Sequence, residues 1–227
     1  MDRYQNHFLD SNVIIGYVIG WDGLNISSGN YFNLNFKRYA SDNVEKECEF
    51  VLDKIKTLIL RFIKKILTEC TNIKYLNHDL NDLIETIASK FSNPSFNYDS
   101  TKKTLRNFSN EHITQIKDII SGKLEFKQFR KNITDSFKVS RKNLKIVFKY
   151  KLYKKDSHPS PMSFFGQFQT LRACGIHKED FILLVDAYYL QNTCVKSEMP
   201  FITFDKGIIK NNDKIEENFY FKVIKPN

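Results

Sequence analysis

Phe201-Ile202-Thr203-Phe204-Asp205 is a short apolar run that closes on a threonine and an aspartate, and Phe8-Leu9-Asp10-Ser11-Asn12 repeats that form near the start of the chain. Each run delivers a carboxylate at its C-terminal end. In an open α/β sheet, ligands bind beyond the carboxyl ends of parallel strands. If the two runs are neighbouring strands, Asp10 and Asp205 come together over one sheet edge. Such a pair points to a metal site.

Reading outward, Val13, Ile14, Tyr17 and Val18 recur at helical spacing, so 10–19 is a strand-to-helix transition capped by Ser11 or Asn12. Residues 20–40, with Gly20, Gly23, Gly29 and several Asn, read as loop. Ser41-Asp42-Asn43 followed by Glu45 is a helix start. Apolar residues from Val44 to Ile66 repeat at three- and four-residue steps and carry that helix to about Cys70. A second amphipathic helix covers 77–91 and ends at Ser92-Asn93-Pro94-Ser95. Residues 101–137 predict two or three Lys-rich helices, and 144–153 fit helix and strand alike. His158-Pro159-Ser160-Pro161 breaks the chain. A helix follows over about 179–191, a strand over 201–204, a short helix after Asp205, and a final strand over 217–224. Strands separated by helices imply a parallel sheet with right-handed crossovers.

The chain of 227 residues, 41% hydrophobic, is long enough for one core: a single domain over 1–227 with a large insertion. Its net charge of +9 favours a polyanionic partner, because Lys and Arg neutralise phosphates and release counterions. A Lys-rich composition drawn from an AT-rich genome gives the same balance. Cys48, Cys70, Cys174 and Cys194 show neither Cys-x-x-Cys pairing nor zinc spacing with His, so free thiols in a reducing, cytoplasmic compartment are expected. The start lacks the apolar segment of a secretory signal. No apolar stretch approaches the roughly 20 residues of a membrane span, so no membrane association is expected.

More acids join the pair. Asp186 lies in Phe181-Ile182-Leu183-Leu184-Val185-Asp186-Ala187-Tyr188-Tyr189-Leu190, a helix apolar nearly all round. A carboxylate buried alone is costly. A divalent cation removes that cost, and so does a hydrogen bond to a buried Tyr or Lys. Asp180 stands in the first turn of the same helix, where capping and the helix dipole favour an acid without any metal. Glu47 shares the stripe of Val44, Cys48, Val51 and Ile55 more closely than Glu49, while Glu45 and Glu49 point elsewhere. Thr203 and Asn12 each lie two residues from an aspartate. Thr203 is placed to bond a carboxylate and Asn12 to steady Asp10; a buried strand hydroxyl and a helix cap are the plain alternatives. Carboxylates without histidine ligand spacing suit Mg²⁺ or Mn²⁺ over Zn²⁺.

At these residues the chain resembles a PIN domain. Phe-Leu-Asp-Ser-Asn-Val-Ile-Ile (8–15) is similar to the family's opening strand with its Asp-x-Asn. Ser-Asp-Asn-Val-Glu-Lys-Glu-Cys (41–48) is similar to its second motif, with Glu47 three residues after Val44. Asp-Ala-Tyr-Tyr-Leu (186–190) resembles the Asp-Ala helix motif, and Phe-Ile-Thr-Phe-Asp-Lys (201–206) the closing Thr-x-Asp. The resemblance implies a three-layer α/β/α fold around a parallel sheet. It also implies an Mg²⁺ or Mn²⁺ site and metal-dependent ribonuclease chemistry, as in VapC-type toxins and RNA-processing nucleases. Carried over by position, the acids are Asp10, Glu47, Asp186 and Asp205. Asp180 competes with Asp186 for the third place, because it too has an alanine seven residues on, Ala187. The segment at about 60–175 has no counterpart and reads as a mainly helical, basic insertion.

Within that segment and just beyond Phe137, Lys138, Arg141, Lys142, Lys145, Lys149, Lys151, Lys154 and Lys155 mix with Phe148, Tyr150 and Tyr153. Basic side chains beside aromatics track phosphates and stack bases; a solvated Lys face over core aromatics looks the same in sequence. Arg141, Lys142, Lys145 and Lys149 are the nucleic-acid-binding candidates. The expected activity is metal-dependent endoribonucleolytic cleavage of RNA. A non-catalytic RNA-binding or interaction module on the same fold, and a DNA flap-type nuclease, are the alternatives. An antitoxin or other protein partner and a homo-oligomer are compatible with this reading.

Overall fold

The computed structural model describes residues 4–69, 76–91 and 98–226. It is an α/β protein whose five strands form one parallel sheet in the order β3-β2-β1-β4-β5, an architecture compatible with three layers. The strands are β1 (Asn6–Leu9), β2 (Lys37–Ser41), β3 (Tyr153–Lys155), β4 (Phe201–Ile202) and β5 (Val223–Ile224). Phe8 pairs with Tyr39 on one side and Phe201 on the other, and Leu9 pairs with Ile202. Phe8, Leu9, Phe201 and Ile202 are fully buried, as central parallel strands covered on both faces require.

From β1 the chain moves outward to β2 and β3, then returns to the other side for β4 and β5. The order therefore switches between β1 and β4. An open parallel sheet places its ligand crevice at such a point, and Asp10 and Thr203 leave the sheet there.

Two compact units divide the chain. One draws on Met1–Gly20, Leu24–Phe50 and Lys142–Asn227, the other on Trp21–Gly23 and Val51–Arg141. The first holds the sheet, with α1 (Ser11–Val18), α2 (Asn25–Phe32), α8 (Phe165–Ala173), α9 (Lys178–Leu190), α10 (Lys206–Lys210) and α11 (Asn212–Phe219). Its aromatic core includes Phe168 against Phe181 (ring centroids 5.0 Å) and Phe181 against Phe219 (5.9 Å). The second is helical and contains α4 (Leu76–Phe91), α5 (Tyr98–Glu111) and α6 (Ile113–Ile120). Leu83, Ile87, Leu105, Phe108, Phe129 and Ile133 are buried in it, and Trp21 stands edge-on to Phe108 at 5.6 Å. The long helices α3 (Asp42–Glu69) and α7 (Phe126–Tyr150) contribute residues to both units.

Several local expectations are corrected. Residues 20–40 are not loop: they contain α2 and most of β2. Arg38 on β2 is 9% exposed and donates to the Tyr31 and Phe32 carbonyls at 3.2 and 3.1 Å, and to Leu34 O. This buried guanidinium satisfies the open C-terminus of α2, which no capping residue in the sequence announces. The cap of α1 is Asp10 itself, extended at φ −74° and ψ 154°, not Ser11 or Asn12. The predicted strand over 217–224 begins as the last turn of α11, whose Ile215 and Phe219 lie one turn apart, and only Val223 and Ile224 pair. Strand 201–204 shortens to Phe201–Ile202. The ambiguous 144–153 resolves into both states, helix to Tyr150 and strand from Tyr153. The described residues of the segment 60–175 are mainly helical, with the three-residue β3 among them, and α8 within it had no predicted counterpart.

No described helix is long and apolar enough to cross a membrane. Cys48 is buried and Cys174 and Cys194 are exposed, all as free thiols. Cys70 and Ser92-Asn93-Pro94-Ser95 lie outside the described residues.

Candidate acidic site at the switch point

Asp10 is 4% exposed and held by donors from three residues, Ser11, Asn12 and Thr203. Oδ1 accepts from the Ser11 backbone N–H at 2.7 Å. Oδ2 accepts from Asn12 Nδ2 and from the Thr203 hydroxyl, each at 2.6 Å. Thr203 Oγ1 in turn accepts from Asn12 Nδ2 at 3.0 Å and from the Asp205 N–H at 2.9 Å. Asn12 Oδ1 accepts from the Phe204 N–H at 3.0 Å. Every side-chain polar atom of Asn12 and Thr203 is thus used to lock the end of β1 to the segment after β4.

Asp205 is the N-cap of α10, and its Oδ1 accepts from the Ile208 N–H at 2.9 Å. Asp180 is the third residue of α9 and hydrogen-bonds the backbone of His177, the residue before that helix, which is one limb of a capping box; the His177 side chain makes no capping bond in return. Asp10, Asp180 and Asp205 therefore each occupy a helix start, where the positive dipole end offsets part of their charge. Glu47 lies on α3 and is half-buried, with the Ser11 hydroxyl as its partner. Its neighbours are occupied elsewhere: Lys154 pairs with Glu45 at 2.6 Å and Asp42 at 2.9 Å.

The four acids act on one another. Burial and then the charge of Glu47 push the Asp10 carboxyl well above its ordinary range, against the pull of its Thr203 and Ser11 hydrogen bonds. Burial and then Asp180 raise Glu47 to about 7. Burial and then Asp205 raise Asp180 to about 6. These interactions join Asp10, Glu47, Asp180 and Asp205 into one electrostatic group.

Asp186 stands apart from it. The side chain is fully buried. Oδ1 accepts from the His158 N–H at 2.8 Å, and Oδ2 from Asn43 Nδ2 at 3.0 Å. Asn43 also donates its backbone N–H to the Ser157 hydroxyl at 3.0 Å. Asp186 thereby ties α9 to the first turn of α3 and to the segment after β3. Sequence inspection missed two members of this environment, Ser11 and Asn43. Asn43 precedes Glu47 by one helical turn, which was the available signal.

Arg141, Lys142, Lys145 and Lys149 are exposed. Arg141 pairs with Asp53, and the Lys149 ammonium lies 4.9 Å from the Tyr150 ring centre. Among the described residues, no three or more His, Cys, Asp or Glu side chains are grouped so as to hold a metal ion. No protein-family model matches the chain, and no curated protein or solved structure matches it.

Proposed function

We propose that Asp10, Glu47, Asp180 and Asp205 form a divalent-cation site and that the protein is a metal-dependent endoribonuclease of PIN-like design. The observation that carries the reading is burial joined by a run of like charges beside the switch point of a parallel sheet: Glu47 and Asp180 raise the buried Asp10, Asp180 raises the half-buried Glu47, and the exposed Asp205 raises the half-buried Asp180. Like charges held together without a cation oppose ionisation, and a site with only oxygen donors fits Mg²⁺ or Mn²⁺. Such an ion, when bound, activates water and offsets charge on a phosphodiester. The protein's own part is positional. Asn12 and Thr203 fix Asp10 against Asp205, and Ser11 orients Glu47. In this reading the third acid is Asp180, and Asp186 holds α3 in place.

The test is titration calorimetry with Mn²⁺ alongside cleavage of matched single-stranded RNA and DNA. Wild type binds Mn²⁺ and cuts RNA in preference to DNA. Asp10→Asn and Asp205→Asn lower cleavage by at least about a hundredfold, the scale of losing one electrostatic element of a catalytic site, with the circular dichroism spectrum unchanged. Full activity in both variants refutes the site. Mn²⁺ binding with faster DNA cleavage selects the flap-type alternative, and RNA binding without metal affinity selects the non-catalytic module.

A further inference from the structure

The charge of this chain is concentrated. Residues 101–150 contain 13 Lys and Arg against 4 Asp and Glu, an excess of +9 that equals the net charge of the whole chain. Helix α7 carries Lys127, Arg130, Lys131, Lys138, Arg141, Lys142, Lys145 and Lys149 against Asp135 alone. All eight basic residues are exposed. At about 100° per residue they fall within an arc of about 120°, and they extend over most of a helix about 37 Å long. A merely solvated helix would scatter them over its whole open side. Lys138 pairs with Asp135 and Arg141 with Asp53; Lys131 also acts on Asp135 from one turn away, and among the described residues the other six form no ion pair.

We propose that this face of α7 is a track for the phosphates of single-stranded RNA. Neighbours three and four apart on a helix are about 5–6 Å from one another at Cβ, so the face offers a row of cations to a regularly charged polymer. A membrane surface fits less well. Most of the apolar side chains that would enter lipid are already used, with Phe129, Ile133, Phe137, Leu144, Val147 and Phe148 buried in the protein, and Val139, Ile146 and Tyr150 are the large apolar residues of α7 left exposed. The inference deepens the nuclease reading and rests on it only for the choice of RNA as the polyanion.

The test is fluorescence anisotropy with a labelled 20-nucleotide oligouridine, in EDTA so that no metal or cleavage is involved, across 50–300 mM KCl. In the full chain, Lys131, Lys138, Lys142 and Lys145 are changed together to Gln. The control changes Lys210, Lys214, Lys222 and Lys225, also exposed, by the same charge. The α7 variant should bind at least about tenfold more weakly at 0.1 M salt, with the salt slope shallower by about 3, since each single-strand phosphate contact contributes about 0.7. The control should keep wild-type slope, and Lys→Arg at the four α7 positions should keep affinity. Equal losses in the two Gln variants, no loss in the α7 variant, or binding to phosphatidylserine vesicles but not to RNA overturns the proposal. Because metal is absent, these outcomes are separate from failure of the acidic site.

Discussion

Asp186 and Asp180 show that burial and an acidic environment are separate properties of a carboxylate. Asp186 is the more buried, yet both its oxygens accept from protein donors. Asp180 is less buried, and its charged surroundings are Asp205 and Glu179, opposed by His177. Two substitutions separate the roles. Asp186→Asn can still accept from the His158 N–H and, with the Asn43 amide turned over, donate to Asn43. It should cost less than about 1 kcal/mol and keep Mn²⁺ affinity. Asp186→Leu strands both donors and should cost about 1–3 kcal/mol by urea unfolding. If Asp186→Asn abolishes Mn²⁺ binding while wild type binds, Asp186 is itself a ligand.

At the level of elements, the helices follow rules readable in the sequence. The stripe from Val44 to Ile66 lies buried along α3, and Asp205 caps α10. The short strands escape those rules, because β4 and β5 have two residues each and cannot display a period. The end of α11 has a measurable consequence. Tyr220 takes the left-handed conformation, φ 58°, with its side chain 74% exposed. A non-glycine residue there costs about 1–2 kcal/mol, and a helix ending of this kind favours glycine. Tyr220→Gly should therefore raise stability by about 1 kcal/mol in thermal or urea unfolding. A loss instead would show that the exposed tyrosine makes a stabilising contact.

Across the whole molecule, the raised carboxylates set how stability depends on pH. The folded protein holds protons on Glu47 and Asp180 more tightly than the unfolded chain, with values of about 7 and 6 against ordinary ones of 4.5 and 3.8. Their contribution is fully present below about pH 4 and is lost as pH rises through 6 and 7. His7 acts in the opposite sense. Burial lowers its imidazole to about 4, so its contribution is present above 6.5 and lost as pH falls toward 4. The difference between wild type and Glu47→Gln isolates the acid. The variant should lose less stability than wild type between pH 5 and 8. Mn²⁺ should raise the wild-type melting temperature more at pH 8 than at pH 5, because the ion binds the ionised carboxylates. Equal Mn²⁺ shifts at the two pH values would count against a carboxylate site.

The sequence by itself determined the strand-ending aspartates, the helices flanking them and the positions of the acids, because caps and apolar periodicity are local properties of the chain. It also showed that the basic excess lies in the middle of the chain. The tertiary structure decided which strands are neighbours, that Asp10 rather than the next two residues caps α1, and that Asp186 is bonded to Asn43 and His158. It also grouped Asp180 electrostatically with Asp10, Glu47 and Asp205. The reason is physical. A carboxylate's burial, donors and charged neighbours come largely from other segments, Thr203 reaching Asp10 across 193 residues and Asn43 reaching Asp186 across 143, and no local pattern records which of them the fold will bring to its side.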